Sequence, residues 1–245
     1  KRMFNNSSFI GTFHKPNEVL EKQTPSSKYL KKLDGAICVG PNQVDFIKNW
    51  LHMDNVKFIP HGIDTKFFKP NLNKREENTL LFVGQHLRDF KSFNYCIPKI
   101  AEKIPSLKVN VILHRSYKKY IAPHKAINVF SNLNDMELKE HYQIASALFL
   151  PMLNSTACNS ILEAMSCGLP VITTGVGGNS SYLKGTNNVL APLNNKDILI
   201  DAAIELLKNE DTLFDNGKLS REKALKYDWG KIAVQIEKFY KSNVR

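Results

Sequence analysis

Short runs that are apolar on both faces recur along this chain between stretches of helical periodicity, and that alternation leaves few folds open. The runs fall at residues 8–13, 36–39, 56–59, 80–83, 109–113, 127–130, 147–150 and 171–174. A strand with one wet face alternates polar with apolar residues. Ala147, Leu148, Phe149 and Leu150 do not alternate, so both faces of that strand must be covered. Helices above and below a parallel sheet provide such cover, and the class is α/β. Helical stretches are read over 98–104, 137–146, 159–167 and 196–209. Residues 229–240 set Ile232, Ala233, Ile236, Phe239 and Tyr240 on one face of a closing amphipathic helix.

Two sheets fit this pattern better than one. The turn Pro60-His61-Gly62-Ile63-Asp64 leads into a polar stretch, residues 69–78, of linker composition, which sets a boundary near Pro70. Residues 1–68 then hold about three strands, too few for an independent doubly wound domain, and are read as a partial first Rossmann-like domain. Residues 69–226 are read as a complete second one, and 227–245 as the closing helix.

Charge and composition narrow the partners. The chain has 245 residues, 42% of them apolar, enough for one good core or two modest ones, and a formal net charge of +11. No run approaches the ~20 apolar residues of a spanning helix, and Lys1-Arg2-Met3 has no apolar segment behind it, although a start without an initiator Met leaves a preceding segment open; a cytoplasmic location is expected from the cysteines instead, with a peripheral membrane contact left open. Cys38, Cys96, Cys158 and Cys167 form no Cys-x-x-Cys pair and fit reduced thiols. The positive charge favours an anionic partner: small-molecule phosphates or an anionic membrane surface. Lys28, Lys31, Lys32, Lys48 and Lys57 are dispersed rather than gathered with aromatics, so nucleic acid is not expected and a solvated basic surface is the simpler account.

Three segments can carry chemistry. Asn154-Ser155-Thr156-Ala157-Cys158-Asn159-Ser160-Ile161-Leu162-Glu163 follows one strand and opens a helix. A helix starting at the carboxyl end of a parallel strand aims unpaired N–H groups and its positive dipole end into the ligand crevice of α/β proteins, which suits a phosphate. Ser155, Thr156, Asn159 and Ser160 can add neutral donors, and Glu163 can accept from sugar hydroxyls. The alternative is a capping box, in which Ser160 and Glu163 satisfy only the helix's own amides. Thr174-Gly175-Val176-Gly177-Gly178-Asn179 is either a close backbone approach to a ligand or a simple turn. Gly84-Gln85-His86-Leu87-Arg88-Asp89-Phe90-Lys91 ends a strand, and Arg88 and Lys91 can stabilise a departing diphosphate or can form a surface pair with Asp89 and a solvated lysine.

Four separated motifs, Ile59-Pro60-His61-Gly62-Ile63-Asp64, Phe82-Val83-Gly84, Leu162-Glu163-Ala164-Met165-Ser166-Cys167-Gly168-Leu169-Pro170-Val171-Ile172 and Tyr227-Asp228-Trp229, occur in this order, and nearly the whole chain resembles GT-B glycosyltransferases of family 4. The resemblance implies two Rossmann-like domains, the first incomplete in this chain, with an acceptor held mainly by the first and a nucleotide-sugar donor by the second. It implies a retaining hexosyltransferase-type glycosyltransferase that needs no metal and no other cofactor, and a closing helix packed back on the first domain. The acceptor is a glycan, a lipid-linked sugar or a small molecule.

Carried onto this sequence, Glu163 matches the second glutamate of the family's Glu-x7-Glu motif, which holds the donor ribose. The first falls at Ser155, although Thr156-Ala157-Cys158-Asn159 is similar to branches reading Thr-Ala-Asn-Asn. The arginine usually found after the strand-end glycine is Gln85, and the later lysine aligns nearest Phe90 or Lys91, which leaves Arg88 to take one phosphate contact. His14, in a loop resembling the family's His-bearing loop, faces the donor sugar or the reacting centre, and His61 belongs to the linker turn. Asp135 is read as the N-cap of the helix after Asn132-Leu133-Asn134, near which the nucleotide base is expected. A sugar-nucleotide epimerase of the same architecture and a non-catalytic nucleotide-binding remnant are the rival readings.

Overall fold

The computed structural model describes residues 7–24 and 26–243; the Lys1-Arg2-Met3 opening lies outside them. Two parallel sheets form. The first has the order β1 (Ile10–Phe13), β2 (Gly35–Cys38), β3 (Val56–Phe58). The second contains β4 (Thr79–Val83), β5 (Lys108–Ile112), β6 (Ile127–Phe130), β7 (Ala147–Leu150), β8 (Val171–Thr174) and β9 (Val189–Ala191), in the order β6-β5-β4-β7-β8-β9. The chain builds outward from β4 on one side and then returns to build outward from β7 on the other. The switch point between β4 and β7 opens the crevice in which such sheets bind ligands.

The described residues hold nine helices, six of them between strands, α1 (Asn17–Gln23), α2 (Val44–Leu51), α3 (Phe90–Lys103), α4 (Asp135–Ile144), α5 (Asn159–Ser166) and α6 (Asn179–Leu183), and three after the last strand, α7 (Lys196–Lys208), α8 (Glu210–Ala224) and α9 (Trp229–Lys241). All five residues of β4 and all four of β7 are buried, as two-sided cover requires. The main core gathers Leu80, Phe82, Phe93, Tyr142 and Phe149 around these two strands. A smaller cluster spans both sheets: Ile37 and Ile59 from the first, Leu162 and Tyr182 from the second, and Ile232 and Phe239 from α9. Burial of Ile232 and Phe239 contributes about 1.5–3 kcal/mol each. Gly35 admits the Phe239 ring, since a Cβ there would lie 3.2 Å from its Cζ. The four cysteines are free and buried, and burial pushes the Cys38, Cys96 and Cys167 thiols up to about 12, which keeps them protonated at neutral pH.

Several sequence expectations are corrected. α3 starts at Phe90, eight residues before the expected 98, with Pro98 inside it; the N-terminal signal is Asp89, whose side chain accepts from Ser92 N. The cap of α4 is Asn134 rather than Asp135, paired reciprocally with Glu137. On α9 the buried stripe is Ile232 and Phe239 with half-buried Ile236, while Ala233 and Tyr240 are exposed. α8 was not anticipated because it docks through Asn216, Gly217, Ser220 and Ala224 rather than through large apolar residues. A Cβ at Gly217 would meet the Gly168 carbonyl oxygen at 2.4 Å.

Candidate functional site

The switch point is built around Arg88. β4 ends at Val83, and Gly84 leaves the sheet with φ +88°, a conformation that disfavours side chains. Four residues on, the guanidinium folds back over this turn. Its Nε donates to Val83 O at 2.9 Å, Nη1 to His86 O at 3.1 Å and Nη2 to Ser160 Oγ at 3.2 Å. The cation is thus held by neutral acceptors at the head of α5, with no carboxylate in an ion pair with it among the described residues. A positive charge fixed in this way is available to an anion.

The capping-box alternative for α5 does not hold. The helix is preceded by Cys158 with no side-chain cap. Ser160 instead donates to Val83 O at 3.4 Å while accepting from Arg88, and Glu163 accepts from Tyr142 OH at 2.7 Å. Ile161 N closes the first turn of α5 on Cys158 O at 3.0 Å, and the Asn159 and Ser160 amides ahead of it keep their capacity for an external acceptor.

The first sheet forms the facing wall. Thr156 Oγ1 donates to His14 O at 2.6 Å, and Asn42 Nδ2 to Ser155 O at 3.3 Å, which ties the loop before α5 to the loop after β1 and the turn before α2. His14 meets His61 edge-on at 5.7 Å, and His61 meets Trp229 at 5.2 Å. His61 N donates to Tyr182 OH, which in turn donates to Val39 O. The cleft between the sheets encloses about 270 Å³ and is lined by His14, His61, His86, Arg88 and residues 154–160.

Of the residues singled out from sequence, His14, Arg88, Ser155, Thr156, Asn159 and Ser160 line this cleft. Gly84 lies behind the Arg88 guanidinium, where a Cβ would be 2.9 Å from Nη2. Glu163 sits one turn deeper, close enough for Arg88 to act on it electrostatically. Lys91 does not join them: it is exposed in the first turn of α3. His61, expected only in the linker turn, is a cleft residue, and so is His86, which was quoted in the strand-end segment without a role. The glycine loop after β8 approaches protein rather than open space: Cβ atoms at Gly177 and Gly178 would fall 1.8 Å from Ser155 O and 1.9 Å from Thr156 O. These glycines let the loop before α5 lie flat on α6. The buried Ser155 Oγ has no partner among the described residues.

Burial raises the Glu163 carboxyl, opposed by the Tyr142 hydrogen bond and by Arg88. Burial lowers His14, helped by His61, and lowers His86, helped by Arg88 and Lys15. His141 is lowered by burial against the opposing pull of Glu140 and Glu137; its Nδ1 is buried without a partner among the described residues and its ring lies 4.4 Å from that of Phe130. For each histidine the unfolded chain binds a proton more readily than the folded one. Stability is therefore complete above the unfolded value of about 6.5 and is lost as pH falls from there through the lowered folded value. The melting temperature is expected to drop between pH 7 and 5.5, and His141→Gln to flatten that slope; an unchanged slope in the variant would remove His141 from the account.

A family model described as glycosyl transferases group 1 matches residues 77–209, slightly more than half of the chain. The chain is 27% identical over 94% of its length to an uncharacterized glycosyltransferase of Methanocaldococcus jannaschii, of which it covers 67%. It is 21% identical over 76% of its length to the D-inositol 3-phosphate glycosyltransferase of Corynebacterium aurimucosum, covering 51% of that protein. Among solved structures, S. aureus TarM in complex with fondaparinux, α-GlcNAc-glycerol and UDP superposes with a TM-score of 0.83 at 17% identity, over 98% of this chain and 52% of TarM. The chain thus spans about half to two thirds of the length of these relatives.

Proposed function

This chain belongs to the glycosyl transferases group 1 family, and from that premise we propose that it binds a nucleotide-sugar in the cleft at the β4/β7 switch point and serves sugar transfer to an acceptor, with retention of configuration and without a metal. The observation that carries this reading is the Arg88 guanidinium fixed on Ser160 at the uncapped head of α5. The sugar–phosphate bond breaks as negative charge accumulates on the diphosphate. A cation and amide dipoles already in place stabilise that charge without reorganising. Arg88, backed by Gly84, and the amides around residues 156–160 take the diphosphate, with the exposed Asn159 as a neutral side-chain donor, while the Thr156 and Ser160 hydroxyls, whose protons go to His14 O and Val83 O, hold the loop and the Arg88 turn in place. Glu163 takes the ribose, and His14 faces the transferred sugar from the opposite wall. Ser155, whose hydroxyl is buried and without a partner among the described residues, stands where the resemblance places the first glutamate of the motif. Lys91 has no part in this assignment. The UDP in the TarM structure supports a nucleoside diphosphate as the common element.

A thermal-shift panel of UDP, GDP, ADP and their sugar conjugates tests the reading. A ligand at 100 times its Kd adds about 2.7 kcal/mol of stability, so one nucleoside diphosphate should raise Tm by several degrees and its monophosphate by clearly less. If no nucleotide stabilises the chain, or mono- and diphosphates act alike, a diphosphate-reading cleft is wrong.

A further inference from the structure

A surface of one charge sign lies outside the cleft. Between Glu102 and Asp135 the sequence has no acidic residue, while Arg115, Lys118, Lys119 and Lys125 follow one another across the connection from β5 to β6. His114 to Tyr120 are all exposed, most of them in a 3-10 turn (Arg115–Tyr120). None of the four cations has a carboxylate partner among the described residues. This is the gathering of lysines with aromatics that the sequence reading did not single out.

The segment is held in place. Asn94 of α3 donates to Tyr120 O at 2.8 Å and accepts from Ala122 N at 3.0 Å. Phe90 stacks on Tyr120 at 5.6 Å and on Tyr117 at 6.3 Å, which leaves the two tyrosines 48% and 37% exposed with their outer edges toward solvent. A shallow groove beside them is lined by Ile121, Pro123, Ile127 and Val129 together with Lys118 and Lys119. Lysines, half-exposed tyrosines and a small apolar groove together match the layered chemistry of a lipid headgroup region, where aromatic rings sit at the interface and lysines meet phosphates. A nucleic acid needs free ring faces for stacking, and here Phe90 takes one face of each ring, the two tyrosines contact each other at 5.7 Å and Lys119 lies over the Tyr120 ring at 5.3 Å.

We propose that the β5–β6 connection, centred on Arg115, Lys118, Lys119, Tyr117 and Tyr120, is a docking surface for an anionic lipid bilayer. Its position gives it a use. Gly84 N donates to Ile112 O and His114 N to Gln85 Oε1, so this connection and the Arg88 turn leave the same sheet edge side by side. A bilayer seated on the patch holds the cleft close to the membrane, within reach of a lipid-linked acceptor.

Co-sedimentation of the 245-residue chain with vesicles tests the proposal without any donor, and so independently of the nucleotide assignment. Vesicles of phosphatidylcholine with phosphatidylserine should retain the chain at low salt, and phosphatidylcholine alone should not. Each cation removed is expected to weaken binding about fivefold, so Arg115→Ala/Lys118→Ala/Lys119→Ala should lose on the order of a hundredfold. A matched control, Lys208→Ala/Lys218→Ala/Lys226→Ala, removes equal charge from an exposed region elsewhere. Equal losses in both triple variants, no preference for anionic vesicles, or tighter binding to single-stranded RNA than to the vesicles would each overturn it.

Discussion

Arg88→Ala is expected to weaken nucleoside diphosphate binding by about a hundredfold, roughly 2.8 kcal/mol, while leaving a cooperative thermal transition. The size follows from the loss of charge-assisted hydrogen bonds, each worth about 1.5–3 kcal/mol when a charged group is left without its partner. The fold should survive because the acceptors that Arg88 satisfies have other recourse. Val83 O keeps the Ser160 hydroxyl, and Ser160 keeps Val83. His86 is exposed, so water replaces Nη1 at its carbonyl. Arg88→Lys separates charge from geometry: an ammonium keeps the sign but cannot reach Val83, His86 and Ser160 at once from a rigid fork, so it should recover only part of the affinity. Calorimetric titration with UDP, or with whichever diphosphate stabilises the chain, checks this. Equal Kd values for wild type and Arg88→Ala would place the diphosphate elsewhere.

How much of this site was legible in the sequence depended on what each residue had to do. The strands 147–150 and 171–174 were read with the bounds the structure gives them, because a buried parallel strand has to be covered on both faces and that leaves a plain mark, and the edge strand 127–130, with no fully buried residue, was read with its bounds from its β-branched and aromatic residues. β9 left none: it has three residues, only one of them buried, at a sheet edge. The loop before α5 and Arg88 were found because small polar residues and a cation at strand ends are informative wherever a parallel sheet is already expected. Their meaning was open, since Ser160 and Glu163 have the spacing of a capping box, and only the partners Val83, Arg88 and Tyr142 decide against it. Tyr142 lies in another helix, 21 residues away, and no local pattern could have paired it with Glu163. The glycines after β8 were informative about backbone conformation and silent about what approaches them. His61 lies in the turn before the linker as expected, and what the sequence did not show is its place in the cleft, where the ring of Trp229 from α9 lies against it.

Glu163→Gln is expected to move stability and binding in opposite directions. The carboxyl is buried beside Tyr142, and burial raises it above the ordinary carboxylate value in spite of the Tyr142 hydrogen bond and Arg88. A carboxyl raised in the folded state adds stability below the unfolded value of about 4.5, and that contribution is lost as pH rises through the folded value. At neutral pH the ionised group is therefore a net cost to the unliganded fold. Glutamine removes the charge and keeps an oxygen for the Tyr142 hydroxyl, so the apo melting temperature at pH 7–8 should rise or hold. If Glu163 holds the donor ribose, the same change exchanges a charged acceptor for a neutral one and should weaken nucleotide binding about 10- to 100-fold. Removing the ribose hydroxyls from the ligand supplies the second arm of a double-variant cycle. A deoxynucleotide should bind the wild type more weakly than its ribonucleotide, and Glu163→Gln should lose most of that difference. A variant that melts lower and still distinguishes the two sugars would instead make Glu163 a structural partner of Tyr142, because a carboxylate kept at a cost to the fold is explained only by a ligand that uses it.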